Sequence, residues 1–345
     1  MKHNQVILCG IIQENPRFGN LSESKMFAQF RVITINGNRS GGRQIEARAY
    51  DAPLIYSTDP AMIKQIAKIT VGDLVIIKGA ITTATVTRSP KCQHCGERAS
   101  IPSLLTYVSP AGVNVIDKGA ALTPQGMFNK DLAIQRMAEL KEISNLVTIV
   151  GVVCREPQPY KSDGKQKRRI TSYQLAVKRK LRIIGEVDDN TCDFPWIKSY
   201  GKIGINDGLY IKKGTYMFID GWLRARKFER TNICPHCGKE MKWIDVSQTI
   251  VPYASEYIKN YNEPDTITHD DELIYNSKRI HIENEDSVDE YTTISDEEKN
   301  VAEEELDKIG ISHLKSDIEI ENDIENKIES DDTIFDLAEL KKKLP

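Results

Sequence analysis

"NQVILCGIIQENP" occupies Asn4–Pro16, and "NLVTIVGVVCREP" occupies Asn145–Pro157. Laid over each other, Asn4, Val6, Gly10 and Pro16 meet Asn145, Val147, Gly151 and Pro157 at a constant spacing of 141. Further on, "GDLVIIKGAITTATV" meets "GTYMFIDGWLRARKF", with Gly72 and Gly79 opposite Gly214 and Gly221 at a spacing of 142. The same spacing brings "PKCQHCGERA" (Pro90–Ala99) onto "NICPHCGKEM" (Asn232–Met241), each with a Cys-x-His-Cys-Gly knuckle, and then Pro110 onto Pro252. A slip of one residue over so long a stretch marks an internal duplication, and a duplication decides the architecture before any single element does.

Each copy reads as short strands. An apolar first strand is followed by an alternating stretch ("FAQFRVITI" or "SYQLAVKRKL"), then "IEARAYD" or "WIKSYGK". A short helical insert comes next ("DPAMIKQIAK" or "GLYIKK"), then the Gly-bounded strand, a hairpin interrupted by the knuckle, and a closing strand. Three strands, a helix and two strands in roughly 110 residues is the order of the OB-fold, a small five-stranded barrel. The expected fold is mainly β: tandem OB-fold barrels over residues 1–117 and 144–261, with a linker at 118–143 and an acidic, disordered tail at 262–345. In the linker, Leu132, Ile134, Met137, Ala138 and Leu140 fall at largely helical spacing behind a candidate cap at Asn129, which predicts a helix packed on a barrel.

The net charge of -3 conceals two opposite halves. Residues 1–261 carry 38 Lys+Arg and 23 Asp+Glu, whereas residues 262–345 carry 9 and 27. A basic body points to a polyanionic partner, and an acidic tail reads as solvated. Runs such as "VILCGII" are too short to span a bilayer, and "MKHNQVILCG" lacks the apolar core of a signal peptide, so a cytoplasmic location and no membrane partner are expected. Seven cysteines, four of them in two CxxC pairs, favour reduced thiols and metal over a disulfide framework.

A sequence-tolerant binder of single strands needs cations for phosphates and flat side chains for bases. In the second copy Trp196, Lys198 and Tyr200 alternate onto one strand face, and Arg224, Arg226, Lys227 and Phe228 follow the Gly-bounded strand. "AVKRKLR" adds Lys178, Arg179 and Lys180. The first copy offers Tyr50, aligned with Tyr200, together with Arg48 and Arg88. Both copies are expected to contact the strand, the second supplying most of the stacking. Tyr216 and Phe218 are expected in the core, because they alternate with Met217 and Ile219 on a strand apolar on both faces.

The repeat unit resembles bacterial single-stranded DNA-binding protein (SSB). The carriers are Asn-x-Val-x-x-x-Gly with a proline six residues on, present in both copies, and "YGKIGINDGLYIKKGTYMFIDGWLRARKF" in the second. The resemblance implies a non-enzymatic protein, with no catalytic residues, that coats single-stranded DNA in replication, recombination or repair. It implies stacking positions at Tyr200 and Phe228, with Trp196 near a third. It also implies a homodimer, if a four-barrel assembly is kept, and partner proteins docked on an acidic tail tip such as Asp331, Asp332, Ile334 and Phe335. Ten residues follow that tip here, including Lys341, Lys342 and Lys343, a departure from the family pattern. An RNA-binding OB protein and a zinc-linked scaffold are the other readings compatible with the same residues.

The knuckles stand outside that resemblance. A tetrahedral zinc site takes four ligands, and Cys92, Cys95, Cys234 and Cys237 make one complete thiolate set. The leading expectation is one structural zinc shared by the two hairpins. The alternatives are pairing between chains and completion of each half-site by a histidine such as His94 or His236. "KSDG" at Lys161–Gly164 has the form of a ligase adenylation motif but reads more simply as a hairpin turn with a basic tip. "NGNRSGGRQ" lacks the Lys-Ser/Thr of a phosphate-binding loop.

Overall fold

The computed structural model describes residues 3–20, 25–35, 50–139, 144–162, 169–179, 192–263 and 281–282. The first repeat contains β1 (Asn4–Ile12), β2 (Arg17–Asn20), β3 (Met26–Ile35), β4 (Tyr50–Asp51), β5 (Leu54–Ser57), α1 (Pro60–Ile66), β6 (Leu74–Arg88) and β7 (Ile101–Asp117). β1 pairs with β3 and β6, β3 with β5, β5 in parallel with β7, and β7 with β6, which closes a barrel. After α2 (Lys130–Ala138), the second repeat supplies β8 (Asn145–Val153), β9 (Gln158–Ser162), β10 (Arg169–Lys178), β11 (Cys192–Asp193), β12 (Trp196–Tyr200), α3 (Gly201–Tyr210), β13 (Tyr216–Ile233) and β14 (Glu240–Lys259). Its closure is the same: β8 pairs with β10 and β13, β10 with β12, β12 in parallel with β14, and β14 with β13. This is the OB-fold order, made twice. A final β15 (His281–Ile282) runs parallel to β9.

The barrels share one sheet. β1 and β8 pair antiparallel with Val6 opposite Val147, Asn4 opposite Ile149 and Leu8 opposite Asn145. Val6 and Val147 are the same residue of the repeat, so a pseudo-twofold axis passes between them. Asn4 and Asn145 complete each ladder where a strand diverges. The Asn4 amide donates to Ile81 O and accepts from Ile81 N, both at 2.8 Å. Asn145 does the same to Leu223, both at 2.9 Å. A buried backbone pair is thereby satisfied by a side chain that imitates a peptide, which explains why the repeat begins on asparagine.

Gly79 and Gly221 have an equally local reason. A Cβ would lie 2.4 Å from Ser109 O at the first and 2.3 Å from Val251 O at the second, and both glycines adjoin a register shift. The core runs through both barrels, from Leu8, Val32, Ile55 and Ile77 to Ile149, Leu175, Ile197 and Ile219. Met217 and Ile219 are buried within it, while Tyr216 and Phe218 point to the half-exposed face of β13.

The helices close the layout. Asp59 caps α1 by accepting from Ala61 N, with Pro60 as the first helical residue. α2 is capped by Asn129, which accepts from Leu132 N, and buries Ala133 and Met137 against Cys9, Ile11, Ile33 and Ile35. α3 differs from the expected "GLYIKK" and ends at Tyr210. Its inward face is polar: Asp207 is buried and accepts from Tyr257 Oη at 2.7 Å and Tyr173 Oη at 2.9 Å. Burial raises its carboxyl, against those hydroxyl hydrogen bonds. A helix buried through a carboxylate gives no apolar period to read.

Candidate nucleic-acid interface and four-cysteine cluster

β6–β7 and β13–β14 continue past their barrels as two hairpin arms, each ending in a knuckle. In the first, Cys92 N donates to Glu97 O and Gly96 N to Cys92 O; in the second, Cys234 N donates to Lys239 O and Gly238 N to Cys234 O. Gly96 and Gly238 carry positive φ, 78° and 69°, which the turn requires. The arms bring Cys92 Sγ to 3.8 Å from Cys237 Sγ and Cys95 Sγ to 3.7 Å from Cys234 Sγ. All four sulfurs lie within 4.8 Å of one another, an arrangement compatible with a metal ion. The amides of Cys95 and His94 lower the Cys92 thiol to about 6. The Glu97 amide lowers Cys95 too, but desolvation and the Cys92, Cys234 and Cys237 thiols outweigh it and push Cys95 up to about 12. Four thiolates this close repel one another, so holding all four ionised calls for a cation. His236 instead places Nε2 3.1 Å from Arg98 O.

Below the knuckles the arms are locked together. Arg88 pairs with Asp245 at 3.3 Å, and Arg230 reaches Asp245 at 3.4 Å and Ser103 Oγ at 2.9 Å. Phe228 shares a strand face with Arg230 and is 6% exposed, as is its repeat counterpart Val86 at 3%. Nearer the barrels a reciprocal pair forms: Asp51 accepts from Ala225 N at 2.9 Å, and Asp193 accepts from Thr83 N at 2.8 Å. Arg179 clamps Asp193 through Nε at 3.0 Å and Nη2 at 2.8 Å. Of the residues expected on a binding surface, Arg88 thus lies in a contact between the repeats, Phe228 is buried on the face of β13 that carries Arg230, and Arg179 is bound to Asp193 of its own repeat. The physical reason is that a long arm must bury one face against its neighbour.

On the outer face of the second barrel, the Arg224 guanidinium lies 5.2 Å over the Tyr200 ring and hydrogen-bonds its hydroxyl. Arg226 and Lys227 are exposed beside it, on opposite faces of β13. Trp196 is 7% exposed, with the Arg155 guanidinium 5.7 Å over its ring, and Lys198 is 9% exposed. Lys178 is partly exposed at the end of β10. Lys180, Arg48 and the tail residues Asp331, Asp332, Ile334 and Phe335 lie outside the described residues.

Residues 144–235 match the model of the single-strand binding protein family. The match falls on the second barrel. A single-stranded DNA-binding protein of Staphylococcus epidermidis is 30% identical over 89 residues, 25% of this chain and 62% of the relative. The chain thus spans 62% of the length of the curated relative it matches. The single-stranded DNA-binding protein of Thermus aquaticus superposes with a TM-score of 0.43 at 12% identity, over 75% of this chain and 94% of that one. A deletion mutant of the same protein gives 0.43 at 13%, over 76% and 98%.

The first barrel presents a different face from the second. Strand register places Tyr50 opposite Ile35 and Cys192 opposite Lys178, so the repeat partner of Tyr50 is Cys192 rather than Tyr200. Tyr50 lies under α2, with Lys130 Nζ 4.3 Å from its ring centroid. The aromatic cluster of this barrel is instead Phe27, Tyr56 and Tyr107: Phe27 stacks on Tyr56 at 5.7 Å, and Tyr107 meets Tyr56 edge-on at 5.2 Å. Arg31, lowered chiefly by burial against the charge of Glu14, also lies within the field of Arg88 and Arg17. Alternation along "LIYS", with Ile55 inward and Tyr56 outward, was the signal that could have found it. Lys198 is the counterpart of Tyr56, so identity alone gave no match.

Proposed function

We propose that the chain binds single-stranded DNA without sequence preference, using the outer faces of both barrels as one continuous body. The family match of residues 144–235 is the observation that carries this reading. Tyr200 with Arg224 on one barrel, and Tyr56 and Tyr107 on the other, where register sets Arg17 and Tyr56 on either side of Gln29 and Arg31 two residues on, supply the stacking and phosphate-binding chemistry it needs. Arg226, Lys227 and Lys178 add exposed charge. Binding of this kind protects the strand in replication, recombination or repair and requires no catalytic group. Partner proteins docked on the tail, and pairing of two-barrel chains into a homodimer, belong to the same proposal.

The cysteine cluster holds one structural zinc in this reading. Thiolates about 2.3 Å from a tetrahedral zinc are about 3.8 Å apart. The crossing pairs, at 3.8 Å and 3.7 Å, have that separation without further movement. Cys92, Cys95, Cys234 and Cys237 would fill every position, so the ion clasps the arms and performs no chemistry.

The test is anisotropy of a labelled oligo-dT titrated with the full chain at several salt concentrations, against duplex of equal length. Tight, salt-sensitive binding of the single strand with weak duplex binding is expected. Equal, weak binding of both would overturn the proposal.

A further inference from the structure

Two close sulfur–sulfur contacts in the cluster run from one arm to the other: Cys92 to Cys237 at 3.8 Å and Cys95 to Cys234 at 3.7 Å. A disulfide brings its sulfurs to about 2.05 Å, so each crossing pair closes with a shift of under ~2 Å. The surroundings favour closure in place. Cys92 and Cys234 are buried with Ala99, Ile101 and Met241, each arm is a continuous two-stranded ladder, and Arg88–Asp245 and Arg230–Ser103 tie one arm to the other below. Cys95 and Cys237 are the more accessible sulfurs, open to a small oxidant.

We propose that this cluster is an oxidation site for hydroperoxides, in which Cys92–Cys237 and Cys95–Cys234 disulfides form across the two repeats. A thiolate attacks the peroxide O–O bond, giving a sulfenic acid and releasing the other oxygen as an alcohol, or as water when the oxidant is hydrogen peroxide. The crossing partner then attacks that sulfur and displaces its hydroxyl, which leaves as water. Each pair of thiols gives up two electrons and two protons as its disulfide forms, and one peroxide accepts them. Two such events consume all four ligands, so any metal held there is released. The inference rests on the zinc reading only for what is expelled; the pairing follows from the sulfur positions. The clasp then has two forms, metal-held when reduced and disulfide-held when oxidised, and both tie the same arms. A body that binds DNA with both barrels keeps its geometry through loss of the metal.

The experiment treats purified full-length chain with hydrogen peroxide, alkylates remaining thiols and maps peptides without reduction. A chelating dye follows metal release, and labelled oligo-dT follows binding. Peptides joined as Cys92–Cys237 and Cys95–Cys234, release of the metal with the second disulfide, and unchanged DNA affinity are expected. The C95S variant is expected to retain the Cys92–Cys237 link alone. Disulfides within each knuckle, links between chains, or sulfinic acids without disulfides would overturn the proposal. Loss of DNA binding on clean crossing would refute the preserved geometry. Crossing disulfides in a chain that carries no metal beforehand would instead refute the zinc reading and leave this one standing.

Discussion

Asn145→Ala removes the side chain that joins β8 to the diverging part of β13. Two hydrogen bonds at 2.9 Å to the Leu223 backbone disappear, together with one at 3.0 Å to Thr34 Oγ1 in the other repeat. Asn145 is fully buried, so water does not readily replace them. Leaving a buried donor or acceptor unsatisfied costs about 1–3 kcal/mol, and two backbone groups are orphaned here, so a loss of about 2–6 kcal/mol is expected. Asn4→Ala is expected to lose a similar amount through Ile81. Asn145→Asp keeps the acceptor for Leu223 N but sets a carboxylate oxygen against Leu223 O. Burial raises such a carboxyl above its unfolded value, so its penalty is full at neutral pH and shrinks as the pH falls through that raised value. Urea denaturation followed by circular dichroism, at pH 7 and pH 5, measures all three. A loss below about 1 kcal/mol for both alanine variants would refute the ladder-completing role.

Asp193→Asn strands the Arg179 guanidinium in a site where Asp193 is fully buried, and breaking one partner of a buried pair costs about 3–5 kcal/mol, readable in the same denaturation. Tyr56→Ala and Tyr200→Ala are each expected to weaken oligo-dT binding by about 1–3 kcal/mol with folding intact, whereas Tyr50→Ala leaves affinity unchanged. Asp73 is lowered despite desolvation, because Lys118 and the Gly119 and Thr70 amides bond to its carboxylate. Its contribution is therefore present above the ordinary carboxylate range and lost as the pH falls through the depressed value. In thermal melts, the deficit of Asp73→Asn is expected at pH 7 and to vanish in strong acid.

The repeated Asn-x-Val-x-x-x-Gly and the paired glycines made the barrels legible, because each marks a backbone event with one chemical solution. A missing ladder bond takes an asparagine, and a close strand crossing takes no Cβ. The cysteine cluster was legible for a similar reason, since a half-site repeated at a fixed spacing calls for its other half. The binding faces were less so. Alternation assigns Tyr56 to an outer face only once the register is known, and a slip around β4 moved attention to Tyr50. Arg88, Arg179 and Phe228 have the composition of a binding surface, but Arg88 is held across the arms by Asp245, Arg179 is clamped on the buried Asp193 and Phe228 is itself buried, which no local pattern encodes. The β1–β8 pairing was hidden as well, because two apolar strands do not announce each other.

The central claim is that one four-cysteine cluster clasps the two repeats into a single body. Metal quantification on purified full-length chain, alongside C234S, tests it most directly. One zinc per chain, lost in C234S, is the predicted result. Two zinc ions per chain, or none, would contradict the account.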